Sequence, residues 1–299
     1  MTAAREPATA AGEASFGLLC LAITSVGWGL NFPIMKNLLT ELPPLTSRGL
    51  SGLVGALVLA LLLYVRGERL AVPRAMWLRL AVVSLLTIGS WVAFMGLALL
   101  WLPASEAAVL GISIPVWVAL LAWPILGERV SMMRAIALAI ALAGISVLIA
   151  GNGFEASLGK VPGYLCAFAG AVCVGLGTVL TKHFPFAIPP MSFATWQIGL
   201  GCLPIAIIGL AFERANFAAL SGTGWLSMAY MTLIQFCVCY VCWFAALQRL
   251  PAATASIGTL LVPVVGVLAS GAMLHEALGV REFAALVLAL GGVALAMRS

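Results

Sequence analysis

The sequence predicts an all-α polytopic membrane protein: ten transmembrane helices arranged as two inverted five-helix repeats around a central cavity. Three observations carry that expectation. Of 299 residues, 63% are hydrophobic and 8% charged, with a mean hydropathy of +1.15. A soluble domain needs about 25% charged residues to wet its surface, so this surface must face lipid. Apolar runs of the length needed to span a bilayer recur along the whole chain, separated by short charged or Pro/Gly-rich breaks. Finally, the chain repeats itself, and the repeat holds an odd number of spans.

The first five runs lie near 16–35, 45–65, 75–100, 104–123 and 131–150, and the second five near 160–181, 190–211, 222–247, 252–273 and 280–297. The stretch 1–14 is polar and small, and reads as disordered. A cleavable leader is disfavoured, because Trp28, Asn31, Pro33 and Lys36 continue the first run without a small-residue cleavage site. Ten Lys and Arg fall on one side of the alternating connections (Arg5, Arg66, Arg69, Arg74, Arg79, Arg129, Arg134, Lys182, Arg249 and Arg298). Five fall on the other (Lys36, Arg48, Lys160, Arg214 and Arg281). The richer side is expected in the cytoplasm, with both termini.

A shift of 148 lays Leu102–Leu148 over Leu250–Ala296 without a gap, matching Leu102-Pro103-Ala104 to Leu250-Pro251-Ala252, Pro115-Val116 to Pro263-Val264, and Glu128 to Glu276. Upstream, a shift of 146 lays Gly29, Lys36 and Pro43-Pro44 over Gly175, Lys182 and Pro189-Pro190. Composition explains aligned Leu and Ala but not aligned Pro, Glu and Lys. The chain therefore divides into units 16–150 and 160–298. A unit with five spans reverses its own orientation when repeated, so the halves are expected to be inverted, an arrangement typical of alternating access.

The residue inventory excludes several chemistries. All ten acids are Glu, and Asp is absent, which removes aspartyl catalysis and aspartyl-phosphate pumps. Neither an ATP-binding Gly-rich loop nor H-E-x-x-H is present. The scattered net charge of +5 does not form a nucleic-acid surface. Seven Cys sit inside apolar runs, and Cys237, Cys239 and Cys242 lack the His or carboxylate that a metal would need. No cofactor or metal is expected.

Candidate site residues follow from what is costly in hydrocarbon. Pro115 and Pro263 lack an N–H, which frees the carbonyls of Gly111 and Thr259 four residues earlier. Those carbonyls either face a wet cavity or are satisfied by Ser113 or a neighbouring helix. Asn31, Thr178 and Gln235 should face the interior, lining a path or joining helices. Gly27, Gly29, Gly175 and Gly177 read as packing positions. Trp77, Trp101, Trp123 and Trp225 lie near segment ends, as in an aromatic belt. Trp28, Trp91, Trp117, Trp196 and Trp243 lie deeper, where an aromatic face can hold a cation. Lys36 and Lys182 form an equivalent pair at opposite faces, either snorkelling or guarding each mouth as a gate. Glu128 and Glu276 should act structurally at the starts of helices 5 and 10, where negative charge suits the helix dipole, and Glu106 is the one acid near an apolar segment.

The paired units, the turns Leu126-Gly127-Glu128 and Leu274-His275-Glu276, and Pro43-Pro44-Leu45-Thr46-Ser47-Arg48 resemble the drug/metabolite transporter superfamily, and within it the EamA-type ten-helix exporters. The resemblance covers the chain from about residue 16. Trp28-Gly29-Leu30-Asn31-Phe32 and the aromatic content look closest to the YddG-type aromatic amino acid exporters. The second unit departs from the pattern, with Ala194 where the first has Arg48. The resemblance implies export of amino acids or similar metabolites across a bacterial inner membrane, and a cavity lined by helices 1, 3 and 8, which favours Trp28, Trp91 and Trp243. Export of drugs or other metabolites is the rival within the superfamily. A membrane-embedded enzyme would need clustered titratable groups, and a structural subunit would not need an inverted duplication. Partners are then a small-molecule substrate and lipid; the oligomeric state is left open by the sequence, with a monomer among the states it allows.

Overall fold

The structure is a computed structural model that describes residues 7–128, 132–150, 154–251, 254 and 258–296. Arg5, Arg129 and Arg298 of the charge count lie outside the described residues, as does the side chain of Arg134. All regular structure among the described residues is helical. In chain order the helices are α1 (Pro7–Leu38), α2 (Pro44–Val65), α3 (Arg74–Ala98), α4 (Ala104–Leu126) and α5 (Met132–Ala150). They continue as α6 (Phe154–His183), α7 (Pro190–Phe212), α8 (Gly222–Arg249), α9 (Leu261–Leu274) and α10 (Val280–Ala296). Among the described residues, seven spans, in α1–α4 and α6–α8, are long and apolar enough to cross a membrane, and the described parts of α5, α9 and α10 are shorter or less apolar than that.

Helix ends follow local chemistry. Proline opens α2 and α7 at their first turn, where its missing N–H costs nothing. Glu213 caps α2 by accepting the Leu45 and Thr46 N–H groups at 3.0 and 2.7 Å. Glu276 does the same for Ala104 and Ser105 of α4 at 2.7 and 2.9 Å, so it serves a helix distant in sequence rather than the start of the tenth helix that follows it. Carboxylates at these N-termini also suit the helix dipole. One expectation needs correction: α1 begins at Pro7 rather than after a disordered stretch reaching residue 14. The run that follows Pro7 is rich in alanine, a strong helix former.

The outward surface is apolar: Leu57, Leu61, Leu165, Phe212 and Val287 are all exposed. Inside, packing pairs repeat. α2 packs on α7, α5 on α10, α1 on α8 and α9, and α6 on α3 and α4. Shifting by the repeat exchanges the last two statements and leaves the first two unchanged. Contact details follow suit. A Cβ on Gly144 would lie 2.7 Å from the Ala289 nitrogen, and one on Gly292 would lie 2.5 Å from the Ala141 nitrogen. Both pairs differ by 148, and at both places only glycine permits that approach of backbones.

Candidate functional site

A cavity of about 410 Å3 sits where both halves meet, within the size range of small-molecule sites. Its walls come from α1 (Trp28, Asn31, Phe32, Met35), α2 (Arg48), α3 (Thr87, Ile88, Trp91), α4 (Gly111, Pro115), α6 (Val174, Thr178), α8 (Gln235, Phe236, Tyr240) and the α9 approach (Thr259, Pro263).

The helices that build it are irregular at matching positions. α4 is interrupted by a turn at Ile112 and Ser113, just before Pro115. There the Ile112 and Ser113 N–H groups bond three residues back, to Val109 and Leu110. A turn at Leu260 stands in the equivalent place before Pro263. Proline cannot donate to the residue four back, so each break is written in the sequence. α3 is π-helical over Leu85–Gly89 and α8 over Tyr230–Val238, and a shift of 148 carries the first inside the second. Such wide turns redirect side chains and loosen the carbonyl ladder, and they often mark functional sites. Here they turn Thr87 and its equivalent Gln235 onto the cavity. The indole N–H of Trp28 donates to the Gln235 backbone carbonyl at 3.4 Å.

The polar groups are unevenly satisfied. Among the described residues, the buried amide oxygens of Asn31 and Gln235 accept no hydrogen bond. Arg48 is 1% exposed. Its Nη1 donates only to the Met35 sulfur, and its Nε and Nη2 have no partner. Buried polar groups are normally paired, so these unpaired donors and acceptors leave hydrogen-bonding capacity on residues that line the cavity.

Nine of the proposed substrate-binding residues border this cavity: Trp28, Asn31, Trp91, Gly111, Pro115, Thr178, Gln235, Thr259 and Pro263. Two do not. Ser113 is buried away from it with an unpartnered hydroxyl. Trp243 packs on Trp28 instead, ring centroids 5.9 Å apart, as Tyr240 does edge-on at 5.5 Å. Trp196 is not deep: its indole N–H donates to the Leu70 carbonyl at 2.8 Å, at the start of α7.

The lysines also lie outside the cavity. Lys36 donates to the carbonyls of Leu99 and Leu102, while Lys182 pairs with Glu128. Glu106 is buried in a cluster with Lys160 at 2.6 Å and Tyr164 at 2.9 Å, with Arg281 at 3.8 Å, and so ties α4 to α6 and α10. Sequence reasoning missed Phe32, Met35, Arg48, Thr87, Phe236 and Tyr240. Regular α-periodicity hides the residues on π-turns. Arg48 had a signal, a charge inside an apolar run with alanine at its equivalent.

Broken helices meeting at a cavity, inside a bundle whose outer surface is apolar, define a multi-pass membrane transporter. Residues 15–150 and 161–298 match the EamA-like transporter family, and the chain belongs to it. It is 28% identical over 279 residues to the uncharacterized transporter YvbV of Bacillus subtilis, covering 93% of this chain and 90% of that one. It is 28% identical over 290 residues to a probable amino-acid metabolite efflux pump of Salmonella typhimurium, covering 93% of each. The corresponding Escherichia coli pump is 26% identical over 293 residues, again covering 93% of each. A solved crystal structure shares the fold with a TM-score of 0.68 at 23% identity, covering 94% of this chain and 96% of that one.

Proposed function

We propose that this chain exports amino acids, aromatic and other neutral ones, from the cytoplasm across the inner membrane. Its two five-helix units act as inverted repeats that exchange conformations, with both termini cytoplasmic. The observation that carries the reading is the cavity itself: unpartnered amide oxygens of Asn31 and Gln235 beside the aromatic walls Trp28, Trp91, Phe236 and Tyr240. An ammonium is held by such oxygens and by aromatic faces. A flat or branched apolar side chain fits the remainder without a specific partner, so recognition is broad. The relatives described as amino-acid metabolite efflux pumps support the same substrate class, and the exchange of packing pairs by the repeat supports the inverted arrangement.

The test is counterflow by purified protein in liposomes, across a panel of labelled amino acids. Tryptophan, phenylalanine and smaller neutral amino acids should exchange. Pro115→Ala and Pro263→Ala restore an N–H, let each helix close its missing bond, and should slow exchange in both variants while the protein stays monodisperse. Pro124→Ala and Pro204→Ala, which lack a proline at the equivalent place, are the controls. Normal exchange by the first two would remove the broken helices from the mechanism.

A further inference from the structure

Arg48 has no evident structural use. It lies one turn inside α2, is 1% exposed, and borders the cavity with Nε and Nη2 unpartnered. Its remaining contact, the Met35 thioether, is a weak acceptor. No carboxylate pairs with it among the described residues. A buried, unpaired guanidinium is among the most expensive arrangements a protein can hold. The surroundings nevertheless make room for it: a Cβ on Gly96 would lie 2.9 Å from the Arg48 Cδ. The repeat keeps neither partner, having Ala194 for Arg48 and Phe244 for Gly96. The accommodation is therefore particular to one wall of the cavity rather than a demand of the scaffold.

Nε and Nη2 are the two nitrogens on one edge of the guanidinium, the fork that matches both oxygens of a carboxylate. We infer that Arg48 recognises the substrate carboxylate through that edge, while the amide oxygens of Asn31 and Gln235 take the ammonium. This deepens the export reading and rests on it. The cavity then selects a zwitterion by its two charged groups, and the aromatic walls tolerate different side chains. It should favour acids over the corresponding amines.

The experiment follows entry of labelled phenylalanine into liposomes that hold the full-length protein and unlabelled phenylalanine. In the wild type, 3-phenylpropionate should compete and 2-phenylethylamine should compete far more weakly. Arg48→Gln should weaken the apparent affinity for phenylalanine roughly 30-fold or more and erase the preference for the acid. Arg48→Lys keeps the charge without the fork and should recover part of that preference, which separates lost recognition from lost folding. The assignment falls, with the export reading intact, if Arg48→Gln exchanges phenylalanine at wild-type affinity. It falls likewise if the amine competes as well as the acid in the wild type. A wild type that exchanges no amino acid defeats the export reading instead. The arginine is then judged by thermal shift, where 3-phenylpropionate should stabilise the wild type and not Arg48→Gln. Equal shifts in both, or an equal shift from chloride, would overturn it.

Discussion

Lys36 and Lys182 occupy equivalent places at the ends of α1 and α6, yet they are engaged differently. Lys36 reaches across to the end of α3, donating to the Leu99 carbonyl at 2.5 Å and the Leu102 carbonyl at 3.0 Å. The equivalent acceptors for Lys182 would be Leu247 and Leu250 at the end of α8. Instead its side chain is 67% exposed and pairs with Glu128. The Lys36 face also carries the Glu276 cap on α4, the Glu106 cluster and the Glu213 cap on α2. Among the described residues, the equivalent lysines are thus fastened differently at the two faces. In the inverted arrangement proposed above, exchanging the two lysine environments would be a physical route for moving access from one face to the other.

The largest expected effect comes from cutting both lysines. Lys36→Met leaves two carbonyls short of a donor in a half-buried place, which should cost about 1–3 kcal/mol. Lys182→Met removes an exposed ion pair, worth under about 1 kcal/mol. Melting midpoints in one detergent should therefore fall clearly for the first variant and little for the second. Equal losses would mean that the two faces are not differently fastened.

A smaller effect separates two helix ends. α4 ends on Gly127 (φ 71°) and α9 on its equivalent His275 (φ 54°), both left-handed. That region costs a side-chain-bearing residue roughly 1–2 kcal/mol. Gly127→Ala should destabilise by about 1 kcal/mol, and His275→Gly should stabilise by a similar amount or less. Opposite signs in thermal melts are the expected result. Equal signs would show that tertiary contacts of His275 outweigh its backbone conformation.

Much of this was readable beforehand because lipid simplifies the rules. Prolines at 115 and 263 had to break their helices, and Asn31 and Gln235 had to face inward, because hydrocarbon offers polar groups no alternative partner. The repeat told which breaks were equivalent. What stayed hidden depends on rotation about the helix axis. Arg48 near a helix start reads as a surface charge for setting orientation, and only packing against Gly96 turns it inwards. The π-turns in α3 and α8 shift the facing of Thr87 and Tyr240, which a regular period cannot anticipate. Lys36 read as a mouth residue because carbonyls that become acceptors leave no trace in side-chain identity.

The smallest expected effect is a pH dependence confined to the Lys36 face. Glu41, after α1, accepts the Ser221 N–H and the Ser221 hydroxyl, both at 2.7 Å, and so joins α1 to the start of α8. The N–H contributes most, the hydroxyl adds to it, and together they hold this carboxyl below the usual carboxylate range. The repeat places Ala187 and Pro73 at the equivalent positions, so the Lys182 face has no such tie. Because the folded value is the depressed one, the stabilisation is complete above the ordinary glutamate pKa of about 4.3 and drains away as pH falls through the folded value. Glu41→Gln cannot titrate. The wild type should melt slightly above this variant at about pH 6, and the gap should narrow towards about pH 3. Since other glutamates also lose charge on acidification, the difference between the two proteins is the quantity to follow. A gap that stays constant over that interval would show that the Glu41 tie is not linked to protonation, and would leave the two lysines as the contrast between the faces.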